Sequence, residues 1–349
     1  MIEHPMEQAI RLARAFNPHP NPRVGAVVVA PDGTVVGEGA HERQGLPHAE
    51  VAALDAAGPA GRGSTVYVTL EPCNHTGRTD PCVKALIDAG VVRVVIGERD
   101  PDRKVAGAGI AALIDAGLEV VLDGSAPGLG DLDPGYFHHR VTGRPRFTLK
   151  VAATLDGQVA ADDGTSKWIT GEEARIDGHR LRAESDAVLV GAGTVFADDP
   201  HLDVRLPEYA GRQPRPVVVA GQRTLPPGAR VIERDALVVA TSPGTQPGDV
   251  LIVDSAPDGR PDLRDMAKSL GGIGLVDVMV EGGPRLAAAL WKADLVDRGV
   301  WYMAAKVAGG LGRNAFDTEF RTLSKARPIE IVDVREVGND LRVEFVMEG

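Results

Sequence analysis

Two consecutive α/β domains are what this sequence predicts, and three observations carry the prediction. A chain of 349 residues exceeds the size at which one hydrophobic core usually stops growing. Short β-branched runs alternate with stretches of helical period in both halves, the pattern of strands covered by helices. Between the halves, Gly124 to Arg146 is rich in Gly, Pro and Asp and reads as a separator. The boundary is expected near Thr142 to Arg146, which gives domains 1–145 and 146–349.

The first domain opens with an amphipathic helix, because Met6, Ala9, Ile10, Ala13 and Phe16 recur at helical spacing. Asn17 to Pro22 ends it. Val24 to Ala30 and Thr34 to Glu38 flank the turn Pro31-Asp32-Gly33 and form a hairpin. His48 precedes a helix that runs through Ala57, and Ser64 to Leu70 is a strand leading into Pro72-Cys73. Asp80-Pro81 reads as an N-cap followed by proline at the first helical position, so a third helix carries Cys82. Val91 to Gly97 and Leu118 to Leu122 add strands around a helix near Ala111.

Beyond the separator, Phe147 to Ala153 is a strand and Asp156-Gly157 a turn. Thr170-Gly171-Glu172-Glu173 reads as a capping box opening a helix to about Glu184. Strands follow at Ala187 to Val190, Pro216 to Val219, Leu237 to Ala240 and Val276 to Val280. Ile329 to Val334 and Leu341 to Val346 close the chain about a Gly338-Asn339-Asp340 turn.

The net charge of −11 is spread over both halves, with 13 basic and 18 acidic residues through Pro145 and 25 and 31 beyond it. A protein that binds polyanions needs a basic face, so nucleic acid is not an expected partner. No apolar run approaches the roughly 18 residues of a membrane span, and Met1-Ile2-Glu3-His4-Pro5 lacks a basic segment leading into an apolar one. A soluble, cytoplasmic protein without membrane contact is the expectation. In a reducing compartment its two cysteines, Cys73 and Cys82, more often bind metal or do chemistry than form a disulfide.

His48-Ala49-Glu50, Pro72-Cys73 and Cys82 supply three zinc ligands and one carboxylate that is not a ligand. One imidazole and two thiolates leave the fourth position of a zinc ion open, where water is activated near neutral pH. Glu50 would shuttle the protons, as the corresponding glutamate does in zinc nucleobase deaminases. A structural zinc site would close with four protein ligands. Eight residues separate Cys73 from Cys82, where the commonest deaminase pattern has two. His48 and Glu50 are two apart and would diverge on a regular helix, so His48 is expected at the cap, where N–H groups and the helix dipole favour thiolates.

In the second half, Gly191-Ala192-Gly193-Thr194 and Glu281-Gly282-Gly283-Pro284 follow strands. Backbone amides in such turns can hold phosphates. Phe196 stands where a dinucleotide fingerprint has its third glycine, so these clusters read equally as tight turns. Lys150, Arg182 and Arg205 by themselves read as surface charges, and Asp198-Asp199-Pro200 as a cap and turn.

Taken together, further motifs resemble the bifunctional riboflavin-biosynthesis deaminase-reductases over nearly the whole length. In the first half these are Asn21-Pro22-Arg23-Val24-Gly25, the run Thr69 to Thr79, the long cysteine spacing, and Asp100-Pro101 with Val105-Ala106-Gly107. In the second they are Lys150 with Leu155-Asp156-Gly157, Ser166 to Thr170, Gly193-Thr194-Val195 with Ala197 to Pro200, Leu202, Arg205 and Val280 to Gly283. The resemblance implies a cytidine-deaminase-like α/β/α sandwich followed by a dihydrofolate-reductase-like α/β domain. It implies zinc-dependent deamination of 2,5-diamino-6-ribosylamino-4(3H)-pyrimidinone 5′-phosphate, with His48, Cys73 and Cys82 as ligands, Glu50 catalytic, and Asn21, His41, Arg78 and Asp100 around the substrate. NADPH would then reduce the ribosyl group of 5-amino-6-(5-phosphoribosylamino)uracil to ribityl. Ala152, Trp168, Thr194, Asp198, Glu281, Gly282 and Gly283 would face the cofactor. Lys150, Ser166, Arg182, Leu202 and Arg205 would face the substrate, the two arginines suiting one phosphate. The resemblance also implies a homo-oligomer, dimer or tetramer.

Several positions depart from the pattern. Ala26 stands where cysteine is common and Asp80 where proline is; Ala305 replaces a proline before Lys306. Asp102 replaces an asparagine beside the first substrate, exchanging a donor for a negative charge. Asp203 replaces threonine, and Ala220-Gly221 an Asp-Ser pair.

Overall fold

The computed structural model describes residues 3–75, 80–102, 105–244, 246–310, 312–319 and 321–347. Arg78 therefore lies outside the described residues. The chain divides into two compact units, Met1–Gly143 and Arg144–Gly349.

The first unit runs α1 (Pro5–Arg14), β1 (Gly25–Val29), β2 (Val35–Ala40), α2 (Ala49–Ala57), β3 (Thr65–Leu70), α3 (Cys82–Asp88), β4 (Arg93–Glu98), α4 (Ala108–Asp115), β5 (Glu119–Leu122) and α5 (Pro134–Thr142). Its five strands lie in the order β2-β1-β3-β4-β5. The predicted hairpin pairs β1 with β2, β3 runs antiparallel to β1, and β4 and β5 extend the sheet in parallel. Period-2 alternation divides the faces. Val27 packs with Met6, Ala9, Ile10 and Ala13 of α1, while Ala26 and Val28 pair with Gly39 and Gly37 on the opposite face, where α2 lies.

That second face positions the site. Gly37 and Gly39 let α2 approach so closely that a Cβ on either would stand 2.2 Å from the Ala53 carbonyl oxygen or 2.4 Å from that of Ala49. Small residues on the helix side, Ala49, Ala53 and Ala57, complete the fit. Ala26 is buried opposite Gly39, so its small side chain suits the same close contact.

Three local readings need correction. Cys82 is the first residue of α3 and Pro81 its cap, so Asp80 does not cap the helix. Thr170 does not open a capping box, because the next unit's long helix begins at Glu172 with Gly171 at the cap, and the Gly171 N–H donates to Asp340 instead. The separator Gly124 to Arg146 contains α5, capped by Asp133, begun by Pro134 and ended by Gly143 in the left-handed region. These are ordinary start and stop signals. Burial of Leu129, Leu132 and Tyr136 makes the segment part of the first unit's packing.

The second unit runs β6 (Arg146–Thr154), β7 (Gln158–Ala160), α6 (Glu172–Glu184), β8 (Ala187–Gly191), α7 (Ala192–Asp198), β9 (Arg215–Gly221), α8 (Arg230–Glu233), β10 (Leu237–Ala240), β11 (Asp249–Ile252), α9 (Leu263–Gly272), β12 (Asp277–Val280), α10 (Pro284–Lys292), β13 (Arg298–Ala304), β14 (Arg313–Asn314), β15 (Ile329–Val337) and β16 (Asp340–Met347). Nine strands form one sheet, ordered β11-β10-β9-β8-β12-β6-β13-β16-β15, and β7 pairs with β14 separately. From β11 to β13 the neighbours are parallel; the closing β15–β16 hairpin is antiparallel. Helices α9 and α10 cover one face through Met266, Leu270 and Leu290, and α6 and α7 the other through Leu181 and Val195. Strands buried on both faces read as continuous apolar runs, as Ala187 to Val190 does. Among the described residues no helix is long and apolar enough to cross a membrane.

Gly39→Ala forces α2 off its strand and is expected to lower stability by about 1–3 kcal/mol. The urea midpoint of the unfolding transition assigned to the first unit measures this; an unchanged midpoint contradicts the close-packing account.

Candidate active sites

In the first unit the packing of α2 brings distant residues to one cleft of about 270 Å³, lined among others by His41, His48, Glu50, Cys73, Asp100 and Arg140. His48 caps α2 with extended backbone (φ −71°, ψ 162°) and no side-chain cap bond, as the two-residue spacing requires. Glu50 lies buried in the first turn. His48 Nδ1 is 3.2 Å from Cys82 Sγ and 3.5 Å from Cys73 Sγ, and the two sulfurs are 3.5 Å apart. A tetrahedral zinc has ligand edges of about 3.5 Å for N to S and about 3.8 Å for S to S, from its ordinary bond lengths. The triangle fits zinc. The eight-residue separation of the cysteines leaves that fit intact, because Cys73 follows β3 and Cys82 starts α3, whose first N–H donates to Cys73 Sγ at 3.5 Å.

Protonation follows from the same contacts. The bond from Cys82 pulls Cys73 down to about 4, and that shared bond, with burial, pushes Cys82 up. His48 is raised by its bond to Cys73. Burial lifts the Glu50 carboxyl to about 7, with the negative Cys73 adding to it, which suits a group that both takes and gives a proton near neutrality.

His41, which by itself reads as a surface residue, is buried. Its Nδ1 lies 3.1 Å from the Pro47 carbonyl and its Nε2 2.9 Å from Asn21 Nδ2, so the neutral tautomer that donates from Nδ1 satisfies both. Burial lowers its pKa accordingly. Asp100 is buried, accepts from the Tyr136 hydroxyl at 3.1 Å and orders the chain by accepting from the Asp102 N–H at 2.8 Å. Glu71, beside the ligand Cys73 in sequence, serves the scaffold. Its carboxylate accepts from Gly107, Gly109 and Ile110 N–H at 3.0, 3.0 and 3.2 Å and so caps α4 from outside the helix. Tyr136 and Arg140 had no sequence signal, since both fall in the stretch read as a separator.

The second unit concentrates its predicted residues at the carboxyl ends of β8 and β12. The strand after β8 lies on one side of this adjacent pair and the strand after β12 on the other, so the chain turns away in both directions there. Such a switch point leaves a crevice where nucleotides bind. Both glycine clusters open onto it. Helices α7 and α10 begin at Gly191 and Gly283 without side-chain caps, and a Cβ at Gly283 would stand 4.0 Å from Thr194 Oγ1. Two open helix N-termini fit the pyrophosphate of NADPH.

Beside this crevice lies a polar cluster. Arg182 binds Glu281 bidentately at 2.5 and 2.8 Å and reaches the Asp203 carbonyl at 2.8 Å. Arg205, 54% exposed at its side chain, bonds Asp203 at 2.9 Å. Of the two arginines expected at one phosphate, Arg182 is paired with Glu281 and Arg205 is the more exposed. The Leu202 side chain is buried in the apolar layer with Ala174 and Leu181 of α6. Lys150 sits behind the cluster, its Nζ 5.7 Å from the Tyr302 ring centre; burial lowers its pKa, against the pull of Glu281. Ala152 packs at the edge of the same layer.

Ser166 and Trp168 lie on a loop held from two sides: Lys306 donates to the Trp168 and Ile169 carbonyls at 2.9 and 2.8 Å, and Arg175 stacks 4.6 Å over the Trp168 ring. Asp198 stands 3.8 Å from Lys167. His179, which accepts the Arg205 N–H at 3.2 Å, and Lys306 are contributors that sequence reasoning missed.

Fold and site together define a zinc-dependent pyrimidine deaminase joined to a nicotinamide-nucleotide reductase. Residues 1–98 match the cytidine and deoxycytidylate deaminase zinc-binding region, and residues 145–343 the RibD C-terminal domain. Riboflavin biosynthesis protein RibD of Escherichia coli is 38% identical, over 99% of both chains; that of Mycobacterium tuberculosis is 41% identical, over 94% of this chain and 91% of that protein. Acinetobacter baumannii RibD superposes with a TM-score of 0.91 at 35% identity, over 98% of each chain. A Thermotoga maritima diaminohydroxyphosphoribosylaminopyrimidine deaminase/5-amino-6-(5-phosphoribosylamino)uracil reductase superposes at 0.88 and 33%, over 98% and 97%. The chain belongs to the RibD family, the bifunctional deaminase-reductases of riboflavin biosynthesis. Its cofactors are Zn2+ and NADPH, and the expected two-part α/β fold is borne out.

Burial alone would raise Glu281, but Arg182 outweighs it and holds the carboxyl down at about 2 from 4.5. The pair's contribution to stability is therefore full above pH 4.5 and lost as the pH falls towards 2. Arg182→Met leaves a buried carboxylate unpaired and is expected to cost about 3–5 kcal/mol at pH 7. Urea unfolding of the second unit against pH measures it, and a variant with an unchanged acid limb refutes the pairing.

Proposed function

We propose that the two activities divide between domains 1–145 and 146–349, with the residues above in defined roles. His48, Cys73 and Cys82 hold the zinc, and the single observation that carries this is their triangle of zinc-sized edges beside a buried carboxylate. When bound, the metal supplies Lewis acidity that activates water near neutral pH. Glu50 takes a proton from that water and returns it to the departing amine; its carboxyl near 7 makes both transfers inexpensive. Asn21 and the neutral His41 orient the pyrimidine edge, Asp100 takes the ribose side, and Arg78 is assigned to the substrate from the family pattern alone.

In the reductase, bound NADPH would supply hydride for reduction of the ribosyl C1′. The Gly282-Gly283 turn and Thr194, at two uncapped helix starts, would hold its phosphates, with Trp168, Ala152 and Asp198 as the further residues assigned to it. Glu281 shapes the turn through Arg182. Arg205 binds the substrate phosphate, Ser166 its sugar, and Lys150 polarises the opened sugar carbon. The protein works on small phosphorylated pyrimidines without nucleic acid, in the cytoplasm, as a homo-oligomer of two or four chains. The −11 charge speaks against nucleic acid, and the edge strand β15 exposes Ile329, Ile331 and Val334, apolar groups that a second copy would cover.

The test supplies the diaminopyrimidinone phosphate with NADPH and follows ammonia release and nicotinamide absorbance separately. Glu50→Gln is expected to keep its zinc, lose about 10²- to 10⁴-fold in ammonia release, and oxidise NADPH normally when given the deaminated intermediate. An unaltered ammonia rate rules out the role given to Glu50.

A further inference from the structure

The first cleft presents an unusually acidic wall to a substrate that carries a phosphate dianion. Glu50, Asp100 and Asp102 all line it, and like charges at such range repel strongly. Among the described lining residues Arg140 is the one lysine or arginine. Its position is fixed from three sides. Nη2 donates to the Pro20 carbonyl at 3.1 Å, the guanidinium carbon stacks 4.8 Å from the Tyr136 ring centre, and Nε stands 3.6 Å from Asp102 Oδ2. Nε is buried towards Asp102, while the side chain as a whole is 26% exposed, so the outer end of the fork retains donors for a further acceptor.

Asp102 is the position where the family pattern has a neutral amide. An added carboxylate beside a phosphate site would weaken binding unless a cation accompanies it. Arg140 is that cation, and its contact keeps the local charge near neutral. We infer that Arg140 is a substrate-binding residue of the deaminase site that takes the ribosyl phosphate, with Asp102 as its counter-charge, so that the two act as one unit. This rests on the deaminase reading given above. Tyr136 links the unit to the rest of the cleft, since its ring supports Arg140 while its hydroxyl donates to Asp100. The phosphate is thus placed on the α5 side of the cleft.

The experiment measures ammonia release by the zinc-loaded full chain from the phosphorylated substrate and from its phosphate-free riboside. Arg140→Met is expected to raise KM for the phosphate ester about 10- to 100-fold, the loss of one charge-assisted hydrogen-bond partner, with kcat little changed and KM for the riboside unmoved. Arg140→Lys, which keeps the charge but not the fork, falls between. Adding Asp102→Asn to Arg140→Met recovers part of the lost affinity, because a negative charge is removed from beside the phosphate. Should Arg140→Met lose zinc, the ester-to-riboside comparison in Arg140→Lys decides the matter in its place. An ester KM that does not move, a riboside KM that rises in parallel, or independent effects of the two substitutions overturns the inference. A wild-type chain that releases no ammonia from either compound overturns the deaminase reading instead.

Discussion

Negative charge placed where helices begin is the constraint on which both sites depend. Helices α2, α3, α7 and α10 have no side-chain cap bond, so their first N–H groups offer positive charge to an anion, and at α3 the Cys82 N–H donates to Cys73 Sγ. Several other helices are capped. His4, Asp133 and Asp262 cap α1, α5 and α9, and Glu71 crosses from the end of β3 to cap α4.

Holding such ends at the right place is a packing problem. In the deaminase it is solved by subtraction, since Gly37 and Gly39 remove the side chains that would keep α2 away from β2. His48 and Glu50 gain their position from that contact. In the reductase it is solved by charge, because Arg182 on α6 clamps Glu281 at the start of the second glycine turn. A buried pair of this kind contributes more to a defined geometry than to net stability, which suits a turn that must present backbone amides to a cofactor.

Much of this was legible in the chain. The zinc triad, Glu50 and the cap position of His48 followed from residue types and spacing, because ligand chemistry and helix period are local rules. Most strands were read within one or two residues, since both faces of the parallel sheet are buried and their runs are apolar. The readings that changed share a cause. Asp80 and Thr170 are good capping residues one position from where the helices begin, and the caps went to Pro81 and Gly171 because distant partners set the chain's entry, as Asp340 does for Gly171. Helix α5 looked like a linker because its polar residues face other residues that only the folded unit supplies.

By itself the sequence determined the chemistry available: one imidazole, two thiols, a carboxylate, and two glycine turns after strands, in an order that defines the family. Only the tertiary structure decided which charges meet. It turned Arg182 to Glu281, left Arg205 open, buried Leu202, and set Arg140 beside Asp102, residues 38 positions apart in number but facing one cleft. The physical reason is range. Caps, ligand types and periodicity act within a turn or a strand, whereas the partner of a charge depends on how separate elements pack, and no local pattern records it.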